Sequence, residues 1–251
     1  MSFSALLLSL TLVIISVLIS ARQKLQLEKD ILIGTVRAVI QLLAVGFVLN
    51  YVFHISDWRL TLIMLTVMIL AAGQNAAKRG KGMPGAFGIV TAAIGGGTFV
   101  TIIIMVGLGI ITFDPTKVIP IGGMVIGNSM IGAGLVLNRL MAEIKQKRLE
   151  IEAALALGAT SRQAVEGILR SSIKAGLIPT IDSLKTLGIV QLPGMMTGLI
   201  LAGTSPLQAV RYQMLVAFML SSTVSISCVI VGLLAYRRFF SQHYQLLELK
   251  Y

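Results

Sequence analysis

Apolar residues in this chain come in blocks of roughly 20, the length a helix needs to cross a hydrocarbon core of about 30 Å. There are seven such blocks, at residues 3–20, 31–53, 60–77, 83–113, 118–138, 187–204 and 212–236. Charged residues make up only 12% of the 251 residues, about half the share of a soluble domain. Because backbone in lipid must satisfy its own hydrogen bonds, each crossing is predicted to be helical. The chain is therefore predicted to be an all-α polytopic membrane protein with about seven transmembrane helices in a single domain, residues 1–251.

Basic residues are distributed unevenly among the connections. The connections after blocks one, three, five and seven hold seventeen Lys and Arg, whereas the others hold three. By the positive-inside rule, this alternation predicts an N-terminus outside and a C-terminus in the cytoplasm. The net charge of +11 is therefore interpreted as an orientation signal, and no nucleic-acid partner is predicted. Block 3–20 has basic residues only after it, the wrong polarity for a cleaved signal, so it is predicted to be retained.

The long polar stretch at residues 139–186 lies between blocks five and six and is predicted to be cytoplasmic. Within it, the stretch EAALALGAT at residues 152–160 is predicted to form a short helix that Gly158 ends. Thr160 and Gln163 fit a capping box that opens an amphipathic helix running toward Pro179, which is expected to end or kink it. A compact Ala-rich helix on the water side of a membrane is suited to docking into another protein.

Polar groups inside a membrane are costly, so each one is a candidate for a substrate path. The candidates are polar or sulfur-bearing residues within or beside the predicted spans: Gln41, Met124, Asn128, Ser129, Met130, Asp182, Met195 and Met196. Oxygen and thioether groups from helices five and six, meeting at a dimer axis, would pass a cation. Thioethers suit Cu(I) better than ferrous iron, and the favoured interpretation of the methionines is packing. Asp182 is interpreted either as the ion-pair partner of Lys185 or as the first carboxylate a cation meets.

Glycines crowd the middle of the chain. Gly123 and Gly127 are four residues apart, as are Gly194 and Gly198, a spacing that favours close helix packing in lipid. Three consecutive glycines at residues 95–97 indicate that the fourth block is broken or partly re-entrant there.

Groups for catalysis or tight metal binding are missing from the sequence pattern. No His, Cys, Asp and Glu residues show metal-ligand spacing, and no Ser/His/Asp or paired-carboxylate arrangement is present. No enzymatic activity and no bound cofactor are therefore predicted, and no metal-ligating residue is assigned. Transport requires only weak, transient binding, so passage of a metal ion stays open.

A family resemblance rests on the cytoplasmic stretch and on three further segments. Glu152-Ala153-Ala154, followed after three residues by Gly158 and after nine more by Ile168, resembles the EAA loop of ATP-binding-cassette (ABC) permeases. The resemblance is closer to the iron-export permeases of the FetB type. It is carried by residues 27–53, by VIPIGGMVIGNSM at residues 118–130, by LGATSRQA at residues 157–164 and by residues 177–203, which contain DSLKT and QLPGMM.

This resemblance implies the homodimeric membrane half of an exporter in the plasma (inner) membrane, linked to iron efflux. ATP and Mg²⁺ would be held by a separate cytoplasmic ATPase, since the chain has no phosphate-binding G-x-x-x-x-G-K-[ST] loop. The implied ATPase-coupling residues form one short helix and its end: Glu152, Ala153, Ala154, Gly158 and Ala159. The alternatives are an ATP-independent channel or secondary transporter, an assembly protein without transport, and an ABC permease for a non-metal substrate such as a sugar nucleotide.

Overall fold

The structure, a computed structural model, describes residues 3–55, 57–80, 82–241 and 245–247. Within these residues the chain is helical, with only isolated β-bridges. The α-helices, in chain order, are α1 Phe3–Arg22, α2 Glu28–Ile55, α3 Trp58–Ala77, α4 Ala86–Gly107, α5 Pro115–Gln146, α6 Arg148–Ala156, α7 Ser161–Ala164, α8 Glu166–Thr186, α9 Gly194–Leu201 and α10 Pro206–Ala235. Two 3₁₀ turns, Lys78–Gly80 and Tyr236–Phe239, follow α3 and α10.

Five of these helices are long and apolar enough to cross a membrane within the described residues: α2, α3, α4, α5 and α10. A shorter apolar helical stretch, Leu8–Arg22, belongs to α1. The predicted all-α, polytopic membrane architecture is thereby confirmed. The count of seven spans, their orientation and the single domain stay predictions.

The predicted sixth span, residues 187–204, is wrong as a continuous helix. Only Gly194–Leu201 is helical there, and the preceding helix α8 runs through Pro179 as far as Thr186. The connection at residues 187–193 contains Gly188, whose φ of +84° lies in the left-handed region, and ends at Pro193, which has no N–H to continue a helical ladder. Pro179 therefore does not end its helix, and the chain breaks eight residues later.

The expected break in the fourth block is also wrong. Helix α4 passes without interruption through Gly95, Gly96 and Gly97. A Cβ at Gly97 would clash with Oγ of Ser227 on α10 and would lie 3.0 Å from the carbonyl oxygen of Thr223. Glycine is required at position 97 because α4 and α10 approach each other closely there. The helical hydrogen bonds of α4 continue through this point.

The described chain divides into two compact units, residues 1–57 and 58–251. In the first unit, Ser20 joins α1 to α2 by donating from Oγ to Oε1 of Glu28 at 2.8 Å and accepting from the N–H of Leu27. In the second unit, α5 packs against α3, α4, α8 and α10. Val118, Val125 and Val136 of α5 are fully buried in this core.

Helix α8 lies antiparallel to the C-terminal half of α5 in the second unit. Oγ of Ser171 donates to Oε2 of Glu143 at 2.9 Å near one end of the pair. Farther along, a Cβ at Gly176 would lie 2.8 Å from the carbonyl oxygen of Gly132. The last turns of α8 thus reach the middle of α5, where the helix break described above begins.

Candidate functional site

The turn between α6 and α7 has the local structure expected from its sequence. Gly158 adopts φ +91°, and the N–H of Ala159 reaches back to the carbonyl of Ala154 at 3.0 Å, which ends α6. The side chains of Thr160 and Gln163 form a complete capping box at the start of α7. Both the helix stop at Gly158 and the capping box are confirmed.

The outer surface of α6 carries apolar side chains that the sequence reasoning did not single out. Leu149 is 80% exposed and Leu157 is 90% exposed, while Ile151 is 1% exposed and holds the helix to the core. Glu152 forms an ion pair with Arg148 at 2.7 Å. Of the predicted coupling residues, Ala153 and Gly158 are exposed, whereas Glu152, Ala154 and Ala159 are half-buried. This short helix therefore presents small residues flanked by two exposed leucines.

The segments on either side of α6 are firmly attached to the bundle. Glu143, only 7% exposed, accepts hydrogen bonds from Arg139 on its own helix and from Ser171 on α8. Ile144 of α5 and Val165 at the start of α8 are buried in the core. A force applied to α6 would accordingly be transmitted to α5 and α8.

A cavity of about 290 Å³ opens where α8 ends. Its walls come from the middle of α5, the last turns of α8, the irregular connection and α10. The polar residues that line it are Asn128, Thr180, Ser183, Gln191 and Gln213. Apolar residues complete the wall: Ile131, Leu184, Leu187, Ala217 and Leu220. Three helices and the break between α8 and α9 thus meet around one cavity.

Of the predicted path residues, Asn128 lines this cavity and the others lie elsewhere. Met124, Met130 and Met195 are partly buried against the core, in agreement with their interpretation as packing residues. Met196 is half-buried, and Ser129 is fully buried with no hydrogen-bond partner for Oγ among the described residues. Gln41 belongs to the other compact unit, where it shares a face of α2 with Arg37.

Asp182 and Lys185 form an ion pair with an N–O distance of 3.6 Å, and both side chains are exposed. The predicted ion pair is present, and the alternative role of Asp182 as the first carboxylate a cation meets stays a prediction. Both residues lie in the last two turns of α8, beside the helix break, because α8 continues past Pro179.

Of the glycines in the predicted rows, Gly123 packs closely, since a Cβ there would lie 3.1 Å from Cε of Met68 on α3. Apart from their own helix backbone and chain neighbours, no described atom lies within 4 Å of a Cβ built at Gly127, Gly194 or Gly198. At Gly132, by contrast, a Cβ would lie 2.9 Å from Sγ of Cys228. The spacing of small residues identified helix faces without bulky side chains, but it did not identify which of these faces pack together.

The polar cavity residues Gln213, Thr180, Ser183 and Gln191 were missed by sequence reasoning. A local signal existed for Gln191 and Ser183, since Gly188 and Pro193 make a helix break predictable. Gln213 lay inside an apolar block with nothing to separate it from a packing residue. Among the described residues, no group of three His, Cys, Asp or Glu side chains lies close enough to hold a metal ion.

Comparison with known proteins supplies the family. Residues 3–240 match the family described as "Uncharacterised protein family (UPF0014)". The chain belongs to this family. It is 46% identical over 242 residues to the "Probable iron export permease protein FetB" of Escherichia coli, covering 96% of this chain and 93% of that protein. The "UPF0014 membrane protein STAR2" of Oryza sativa is 37% identical, with coverage of 93% and 82%. The "Protein ALUMINUM SENSITIVE 3" of Arabidopsis thaliana is 34% identical, with coverage of 95% and 87%.

The predicted resemblance to FetB-type permeases is confirmed by these relatives. Together with the five long apolar helices, they make this member of the UPF0014 family a multi-pass protein of the plasma (inner) membrane. No solved structure shows a significant match to the chain.

Proposed function

We propose that this chain is the permease subunit of an ABC transporter that exports a metal ion, iron or another, and that works as a homodimer with a separate cytoplasmic ATPase. The likeness to a relative named as an iron export permease supports the substrate class. The exposure of the α6 surface carries the ATPase-docking part. The chain itself acts as a transport subunit and performs no catalysis.

The docking surface is α6 with the turn that follows it. Leu149 and Leu157 present apolar area to water, which costs free energy unless a partner covers it. Ala153 and Gly158 between them are small enough to let a partner surface approach closely. Exposed leucines beside small residues are suited to a short helix that inserts into an apolar cleft of the ATPase.

Movement of the docked helix would reach the cavity through α5 and α8. α5 ends directly before α6, α7 packs against both α6 and α8, and Glu143 of α5 is hydrogen-bonded to Ser171 of α8. The middle of α5 and the last turns of α8 form two walls of the cavity. ATP-driven closure of the partner would therefore change the width of the cavity and its access to either side.

The last turns of α8 and helix α9 act together as one discontinuous crossing in this proposal. α8 reaches the middle of α5, the chain unwinds over residues 187–193, and α9 continues to the start of α10. Discontinuous helices are tolerated at membrane depth where the freed backbone lines a cavity. This assignment replaces the predicted span at residues 187–204.

The test measures ATP hydrolysis by the proposed partner ABC ATPase, with the permease reconstituted in nanodiscs. Leu157→Asp should preserve folding, since the side chain is 90% exposed, and should abolish most of the stimulation of the ATPase by the permease. Lys174→Gln, an exposed change on α8, is the matched control and should stimulate normally.

Full stimulation by the Leu157→Asp permease would contradict docking at α6. Metal efflux from liposomes that contain the permease alone, at the rate seen with ATPase and ATP, would instead identify a channel or secondary transporter.

A further inference from the structure

An unsatisfied hydrogen-bond acceptor lies beside the cavity at the helix break. Gln213 is only 7% exposed, and its Oε1 is closed off from solvent and has no hydrogen-bond partner among the described residues. A buried amide oxygen destabilises a protein unless something donates to it. Gln213 lines the cavity, and a half-turn of its amide, whose oxygen and nitrogen ends have nearly the same shape, presents the oxygen to a donor in that space.

Two further amide side chains face the same space. Nδ2 of Asn128 donates to the carbonyl of Met124 at 2.8 Å, which leaves Oδ1 free to accept. Oε1 of Gln191 accepts from Ser183 Oγ at 3.4 Å, a long hydrogen bond that leaves acceptor capacity. The cavity therefore gathers neutral oxygen acceptors from α5, α10 and the broken crossing.

The lining excludes direct coordination of a bare metal ion. Among the described residues around the cavity there is no Asp, Glu, His, Cys or Met. A divalent cation stripped of water would lose its hydration energy with no fixed charge to replace it. Small divalent cations in any case give up inner-shell water reluctantly.

The volume matches a cation that keeps its water. One water occupies about 30 Å³, so six waters take roughly 180 Å³, within the 290 Å³ of the cavity. Water bound to a cation is a donor on its outer side, which is what the orphaned amide oxygen requires. The C-terminus of α8 also points its carbonyls toward the break, and this end of a helix favours positive charge.

We infer that the cavity binds a divalent metal ion with its inner water shell intact, through hydrogen bonds from those waters to the amide oxygens of Gln213, Asn128 and Gln191. This inference rests on the proposed function, for which it names the site and the form of the substrate. Recognition then depends on charge and hydrated size, so iron(II), manganese(II) and cobalt(II) are bound alike. A soft, weakly hydrated ion such as Cu(I) is not bound.

The experiment uses the full chain in phosphatidylcholine nanodiscs and measures binding of Mn²⁺ from the electron paramagnetic resonance signal of the free ion. Empty nanodiscs give the background. Gln213→Leu should weaken binding at least tenfold, because it replaces the buried acceptor with an apolar side chain of similar size. Ser172→Ala removes a buried hydroxyl of α8 that does not line the cavity, and it should bind as the unaltered chain does.

Two additional arms keep the inference falsifiable if Gln213→Leu folds poorly. Asn128→Asp places a carboxylate at an exposed position of the wall and should strengthen Mn²⁺ binding. Cobalt(III) hexaammine, whose ligands do not exchange, should displace Mn²⁺, since it can bind only through its ligand shell. Absence of Mn²⁺ binding, indifference to both cavity variants, or failure of the hexaammine complex to compete would each overturn the inference.

The two proposals fail in different assays. If ATPase stimulation and ATP-dependent export are normal while the cavity variants bind Mn²⁺ like the unaltered chain, the hydrated-ion site is wrong and the permease function stands. If Mn²⁺ binds as expected and no ATPase is stimulated, the site is supported and the ABC assignment is wrong.

Discussion

Glu143 joins the C-terminal end of α5 to α8. Its buried carboxylate accepts from Arg139 on one side and from Ser171 on the other. Removing the Glu143 carboxylate takes one hydrogen-bond acceptor away from Arg139 and one from Ser171 in a partly buried site. Its importance follows from burial, since exposed ion pairs contribute little.

Glu143→Ala is expected to lower the free energy of unfolding by about 1 kcal/mol, because Ser171 keeps only its hydrogen bond to the carbonyl of Ile168 while Arg139 stays largely solvated. Thermal unfolding of the purified protein in detergent measures this. The matched control is Glu166→Ala, which breaks an exposed ion pair with Arg170 and should change stability by less than about 0.5 kcal/mol. Equal effects of the two substitutions would show that the buried tie is unimportant.

Gly176 and Gly198 provide a second matched pair. Gly176→Val should destabilise the fold by about 3 kcal/mol or more, because the added carbons meet the backbone of Gly132 and Sγ of Cys228. A Cβ built at Gly198 has no described atom within 4 Å outside its own helix backbone and chain neighbours, so Gly198→Val should be close to neutral. Thermal unfolding again decides, and a neutral Gly176→Val would mean that α5 and α8 do not approach closely.

At the scale of elements, apolar length predicted the existence of the spans better than their continuity. Hydropathy reports whether a segment prefers lipid, and residues 187–204 are apolar enough on that criterion. Whether the segment stays helical depends on two residues, Gly188 with its positive φ and Pro193 with its missing N–H. The opposite error occurred at Gly97, where a glycine that serves packing was interpreted as a break.

The hairpin formed by α6 and α7 was predicted in detail because its determinants are local. Gly158, Thr160 and Gln163 act within one turn of their own positions. Of the residues that line the cavity, only Asn128 was predicted as a path residue. Gln213 and Ser183 reach the cavity from α10 and α8, so their proximity depends on how three helices are aligned. Local rules contain no information on that alignment.

Thr160→Ala should loosen this hairpin without unfolding the protein. Loss of the capping box costs about 1 kcal/mol, which corresponds to roughly fivefold faster amide hydrogen exchange over residues 161–165. Hydrogen exchange monitored by mass spectrometry measures the change, and α4 and α10 serve as internal controls whose exchange should not alter. Unchanged exchange at residues 161–165 would contradict a structural role for the cap.

For the whole molecule, the arrangement of basic residues supports one orientation. Arg79 packs at Gly134 in the C-terminal half of α5, and Arg238 lies within 4 Å of a Cβ built at Gly85, at the start of α4. The basic residues after α3 and α10 and the α6 hairpin therefore lie toward one end of the larger unit. The positive-inside rule predicts that this end is the cytoplasmic one.

The single cysteine makes this orientation testable. Cys228 is fully buried, so the unaltered chain should react poorly with a membrane-impermeant maleimide. Leu157→Cys should be labelled in inside-out vesicles but not in intact cells, and Leu201→Cys, at the far end of α9, should show the reverse. Labelling of Leu157→Cys from outside would remove the case for ATPase docking at α6.

The position of Pro179 in α8 has a mechanical consequence. The thirteen residues from Glu166 to the residue before Pro179 form an uninterrupted rod of about 20 Å, at 1.5 Å per residue. A tilt of about 10° at the end next to α7 would swing the far end by roughly 3 Å, about the width of one water molecule. A lever of this length therefore matches the smallest step that opens or closes a path for an ion wrapped in its hydration layer.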